Sequence, residues 1–144
     1  MTARGFNPMR WNCERQGCWN KLNRFKIELF AECFYGASSM GDIDGGVDQY
    51  GCFLFVEFKK YKGAMPYGQE LFWRRLTQLS DKITLFVVEA DPETSTIYSI
   101  STMVNGEQSE WADCDLVGLR AKMIEWREGA SARQRKEIER RAKP

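Results

Sequence analysis

Gly41-Asp42-Ile43-Asp44-Gly45-Gly46-Val47-Asp48-Gln49-Tyr50-Gly51-Cys52-Phe53-Leu54-Phe55-Val56-Glu57-Phe58-Lys59 reads as two strands, 42–48 and 52–60, around a turn near Tyr50-Gly51. The second strand is apolar on both faces, as expected of an interior strand covered on both sides. Side chains two apart on a strand share a face, so Glu57 and Lys59 point the same way as Phe53 and Phe55. If Tyr50-Gly51 forms the loop, Gln49 faces Cys52, Asp44 faces Glu57 and Asp42 faces Lys59. Directly opposed β-carbons lie about 4.5–5.5 Å apart. A turn one residue earlier would put Asp42 opposite Glu57, and Gly45-Gly46 could bulge the strand. Asp44 is the preferred partner of Glu57 and Asp42 the alternative.

Working outward, apolar residues Leu22, Phe25, Ile27, Leu29, Phe30 and Cys33 recur at roughly helical spacing and predict an amphipathic helix over 20–34, broken at Gly36-Ala37-Ser38-Ser39. Beyond the hairpin, a loop with Gly63, Pro66 and Gly68 precedes a predicted helix over 69–79. Residues 83–89 predict a buried strand and 96–104 an edge strand. A helix over 115–128 is expected to stop or bend at Gly129, with a charged helical tail over 132–141. The predicted order α-β-β-α-β-β-α implies a mixed α/β sheet with helices on its faces. The chain is read as one domain over 1–144: an irregular arm (1–19), a core (20–104) and a C-terminal helical region (105–144). An apolar content of 43% in 144 residues is enough for one real core.

The chain contains no histidine, which removes Ser-His-Asp and Cys-His hydrolases and His-dependent nucleases and zinc proteases. Any hydrolysis would have to run on carboxylates, lysine and a hard metal. Two carboxylates as close as Asp44 and Glu57 repel unless a cation lies between them. Their oxygens suit Mg²⁺, with Mn²⁺ as a substitute, and Lys59 could orient water or neutralise charge on a phosphate.

Five cysteines, an odd and scattered set, argue against a disulfide framework. Cys13 and Cys18 form a Cys-X4-Cys pair that Cys33 or Cys52 could extend to zinc, but reduced thiols are the preferred reading. No apolar run approaches the ~18 residues of a membrane span and no signal-peptide core is present. A cytoplasmic location is expected, in the host cell if the protein is phage-encoded.

The constellation resembles the PD-(D/E)XK nuclease superfamily, and in particular small members of phage and prophage origin. Its Glu-X-Lys is Glu57-Phe58-Lys59, and its aspartate falls on Asp44 or Asp42; the proline of the motif is absent, since Ile43 precedes Asp44. The resemblance implies a restriction-endonuclease-like fold and a metal held by Asp44 and Glu57, with Asp42 in reserve. It also implies a helical glutamate upstream (Glu32, or Glu28) and a glutamine early in the following helix (Gln69) as auxiliary catalytic residues.

The net charge of +1 hides a basic tail: Ser131–Pro144 holds six basic residues and two acids. Candidate contacts to a DNA backbone are Lys60, Lys62, Arg74, Arg75, Arg133, Arg135 and Lys136. Trp11, Trp19, Phe25, Lys21, Arg24 and Lys26 interleave aromatics with bases, a pattern also found in nucleic-acid contacts. Met65, Phe72, Trp73, Trp111 and Trp126 are assigned to the core or to a homodimer interface. The expected activity is hydrolysis of DNA phosphodiesters by a metal-activated water, structure-selective or nicking. The alternative is an inactive nucleic-acid- or protein-binding module on the same fold.

Overall fold

The computed structural model describes residues 27–34 and 41–144. The predicted arm, the helix before residue 27, the Cys13/Cys18 pair, the aromatic and basic residues between Trp11 and Lys26, and the break at 36–39 lie outside the described residues. The chain falls into two units, Met1–Met40 and Gly41–Pro144. In the first, the described segment is a 3-10 helix, Ile27–Cys33, where an α-helix was expected.

The second unit is a six-stranded mixed sheet with two helices. Its elements are β1 (Gly45–Gln49), β2 (Cys52–Lys59), α1 (Tyr67–Gln78), β3 (Ile83–Asp91), β4 (Thr96–Val104), β5 (Glu107–Gln108), β6 (Ala112–Asp113) and α2 (Leu116–Ala142). β1 pairs antiparallel with β2, and β2 pairs parallel with β3. That parallel step requires a crossover, which α1 supplies. β4 returns antiparallel to β3, and its other side pairs with β5 and β6.

β4 is therefore not the edge strand that its alternation suggested: Ser99, Ile100, Ser101 and Met103 are buried. The missed signal is Asn105-Gly106, both with positive φ (53° and 78°), the left-handed pair that closes a tight hairpin from β4 into β5. Gly106 N–H donates to Thr77 Oγ1 at 3.0 Å, which ties this hairpin to α1. α2 also departs from expectation, running through Gly129 without interruption. Its start is capped by Asp115, whose carboxylate accepts the Gly118 N–H at 2.7 Å.

Strand alternation gives the sheet two different faces. Leu54, Val56, Phe86, Val88, Ala90 and Ile100 point to one side and pack with Leu119, Met123 and Trp126 of α2. Leu85, Val87 and Met103 point to the other and pack with Trp73 and Leu76 of α1. Phe72, assigned from sequence to the core or to a homodimer interface, is half exposed beside buried Trp73. Among the described residues, no helix is long and apolar enough to cross a membrane.

Candidate active site

The turn sets the register that builds the site. Tyr50 and Gly51 both take positive φ (54° and 81°), and Asp48 Oδ1 accepts the Gly51 N–H at 2.8 Å. A two-residue loop of this kind places Gln49 opposite Cys52 and Gly45 opposite Val56. The next step along the hairpin brings Asp44 beside Glu57, the pairing preferred from sequence. The ladder itself ends at Gly45, so β1 begins later than predicted, and the Asp44 side chain takes over. Its Oδ2 accepts the Phe58 N–H at 2.8 Å, which clamps the carboxylate against the end of β2. Asp42 is exposed, ahead of β1.

Glu57 stands where the apolar column on the α1 side of β2 runs out, yet it is only 1% exposed. Trp73 packs on Phe55 with ring centroids 5.1 Å apart, holding α1 against this face. One turn earlier on α1, Gln69 reaches the charged pair. Its Oε1 accepts from Lys59 Nζ at 2.6 Å and its Nε2 donates to Glu57 Oε2 at 3.3 Å. Lysine has donors only, so the Lys59 ammonium fixes which way the amide faces. Lys59 Nζ lies 3.8 Å from the same Glu57 oxygen.

Glu57 Oε1, by contrast, is buried without a hydrogen-bond partner. Burial, helped by the Asp44 carboxylate and opposed by Lys59 and by the Asp44 backbone N–H, pushes the Glu57 carboxyl up to about 7. A buried carboxylate beside a second carboxylate is a place where a cation would relieve both the burial and the repulsion. Among the described residues, no group of three or more His, Cys, Asp or Glu side chains is placed to hold a metal ion. Asp44 and Glu57 are two such side chains. Two suffice for Mg²⁺, which usually keeps several waters and binds through one or two carboxylates plus substrate phosphate.

Sequence reading missed one neighbour. Glu89 sits beside Lys59 in the parallel register, at a bulge before Ala90, and accepts from Ser99 Oγ at 2.9 Å. An acid ending an apolar strand parallel to β2 was the available signal.

The remaining predicted residues separate into groups. Glu32 is exposed on the 3-10 helix of the first unit. Lys60 and Lys62 are exposed just past Lys59. Arg74 is paired with Glu70 at 2.6 Å, and Arg75 is exposed in the last turn of α1. Arg133 pairs with Asp81 at 2.9 Å, in a groove lined also by Cys52 and Lys82. Arg135 and Lys136 follow it, exposed on α2. Cys52 and Lys59 end the same strand, about 23 Å apart at ~3.3 Å per residue, so the tail groove and the Glu57 cluster lie at opposite ends of β2. No protein-family model matches this chain, and no curated protein or solved structure matches it significantly.

Proposed function

We propose that this protein is a Mg²⁺-dependent DNA endonuclease of the PD-(D/E)XK type, on a restriction-endonuclease-like fold. The observation that carries the reading is the buried Glu57 carboxylate beside Asp44, with Oε2 meeting Lys59 and Gln69 and Oε1 left without a hydrogen-bond partner. Asp44 and Glu57 would hold the ion. When bound, it supplies a water of lowered pKa and polarises the phosphoryl oxygen.

The other groups do the positioning. Gln69 holds the Lys59 ammonium and the Glu57 carboxylate in one frame through its two amide atoms. Lys59, pinned in this way, donates to a phosphate oxygen as negative charge builds there. Glu57 loses its proton as cation binds, so metal affinity rises with pH through about 7. Lys60 and Lys62, exposed just past Lys59, meet the backbone near the cut, without reading sequence.

Supercoiled, linear, single-stranded and branched DNA, each incubated with Mg²⁺ or with EDTA, test the reading. Cleavage should require the metal. Glu57→Ala and Lys59→Ala should each lower it by ~10²-fold or more while leaving DNA binding largely intact. Variants that both cut like the parent would show the site to be misplaced. A parent that binds every DNA and cuts none with Mg²⁺ or Mn²⁺ would replace the enzyme with a binding module.

A further inference from the structure

Beside Glu57 lies a cavity of about 330 Å³ that the cleavage chemistry does not use; among its walls are Lys62, Met65, Glu70, Val87, Gln108 and Trp111. Its place is fixed by the topology. Val87 is the register partner of Glu57 on β3 and shares its face of the sheet. Glu70 follows Gln69 on α1, and Lys62 lies three residues beyond Lys59. The far wall comes from the β5–β6 segment, fastened by Gly106 to Thr77 and by Ser101 Oγ, which donates to the Ser109 carbonyl at 2.7 Å. The cavity is therefore a neighbour of the Glu57 cluster, on the same face of the sheet.

Its chemistry is selective. Trp111 and Met65, both half-buried against the Trp73–Leu85–Val87–Met103 cluster, offer an indole and a thioether. Gln108 offers an amide with donor and acceptor. Glu70 is held by Arg74 at 2.6 Å, and its carboxylate disfavours a phosphate beside it while accepting from an amino group. Lys62 is the only cation among the lining residues and the one suited to a phosphate. The volume is at the small end for ligand sites, room for a ring system of nucleobase size.

We propose that this cavity receives a single nucleobase, unstacked and unpaired, adjoining the phosphate to be cut, so that the protein acts where a strand leaves the duplex. The pocket has this role only if the Glu57 site cuts nucleic acid, as proposed above. Aromatic stacking with edge-on hydrogen bonds is the usual means of holding a base outside a helix.

The experiment uses the full chain with a forked DNA carrying 2-aminopurine at the first unpaired position, against the same label in a fully paired duplex. Binding is followed by fluorescence with Ca²⁺, and cleavage with Mg²⁺. The parent should quench the unpaired label and leave the paired one unchanged. Trp111→Ala should abolish quenching and cut the fork about tenfold more slowly, with little change on any duplex cleavage. Trp111→Phe should restore most of both, and the exposed Gln108→Ala should slow only the fork, by a few-fold. Undiminished quenching and fork cleavage in both Trp111→Ala and Gln108→Ala would overturn the pocket, as would a parent that cuts the fork without quenching it. A parent that neither binds nor cuts any of these DNAs would overturn the pocket and the nuclease reading together.

Discussion

The two faces of the central strands β2 and β3 are built from the same backbone and do opposite things. Toward α2 the column Leu54, Val56, Phe86, Val88 and Ile100 is apolar throughout and closes on Leu119. Toward α1 the column starts the same way, with Leu85 and Val87 under Trp73, and then switches to Glu57, Lys59 and Glu89 at the carboxyl ends of the strands. One face stabilises the domain. The other gives up part of that stability to keep a carboxylate out of water, a trade typical of sites whose groups must be preorganised.

The largest stability loss should therefore come from the quiet face. Ile100→Ala removes a side chain 3% exposed at the centre of the α2-side cluster and should cost ~2–5 kcal/mol, read by urea denaturation. The proposed DNA cleavage, per folded molecule, should stay at the parent level. A specific loss of cleavage in the folded fraction would show that the two faces are not independent.

The charged face should respond with the opposite sign. Without metal, the Glu57 carboxyl titrates at about 7 in the fold against 4.5 for its ordinary value. A raised carboxyl binds more protons folded than unfolded, so its contribution is fully present below about pH 4.5 and is lost as pH rises through about 7. At roughly 1.4 kcal/mol per pKa unit, the loss is ~3 kcal/mol by pH 8. Glu57→Gln should thus stabilise the protein by up to that amount in EDTA at pH 8 and by almost nothing at pH 4. Added Mg²⁺ should raise the parent's melting temperature and leave the variant's unchanged. Equal stabilities of parent and variant at pH 8 would mean that Glu57 is not buried as a charge.

The contrast between the faces also explains what the sequence could convey. The hairpin was readable because its determinants are local. Tyr50-Gly51 sets the register, and the period of two then carries Asp44 to Glu57 and puts Glu57 on the face of Lys59. The depth of Glu57 was not readable, since it depends on α1 arriving over the sheet with Trp73 and Gln69. The interior position of β4 was missed for a different reason: its covering strands have two residues each, too few for any periodicity. Only the Asn105-Gly106 turn announced them. Trp111 consequently looked like core or interface rather than the wall of a cavity.

Gly129 gives the smallest effect and the sharpest test of why α2 does not break. Glycine inside a helix costs about 1 kcal/mol relative to alanine, which is why a stop was expected there. The helix continues because it is held on both sides of that residue: Leu119 is buried against the sheet, Ala130 is buried immediately after Gly129, and Arg133 pairs with Asp81 beyond it. A β-carbon at Gly129 would meet nothing within 4 Å, and its backbone is already helical. Gly129→Ala should therefore stabilise the protein by up to ~1 kcal/mol with no change in cleavage. A loss of stability would mean that α2 bends at this residue in solution, as the sequence first suggested, and that the apolar face does not hold the basic tail in line.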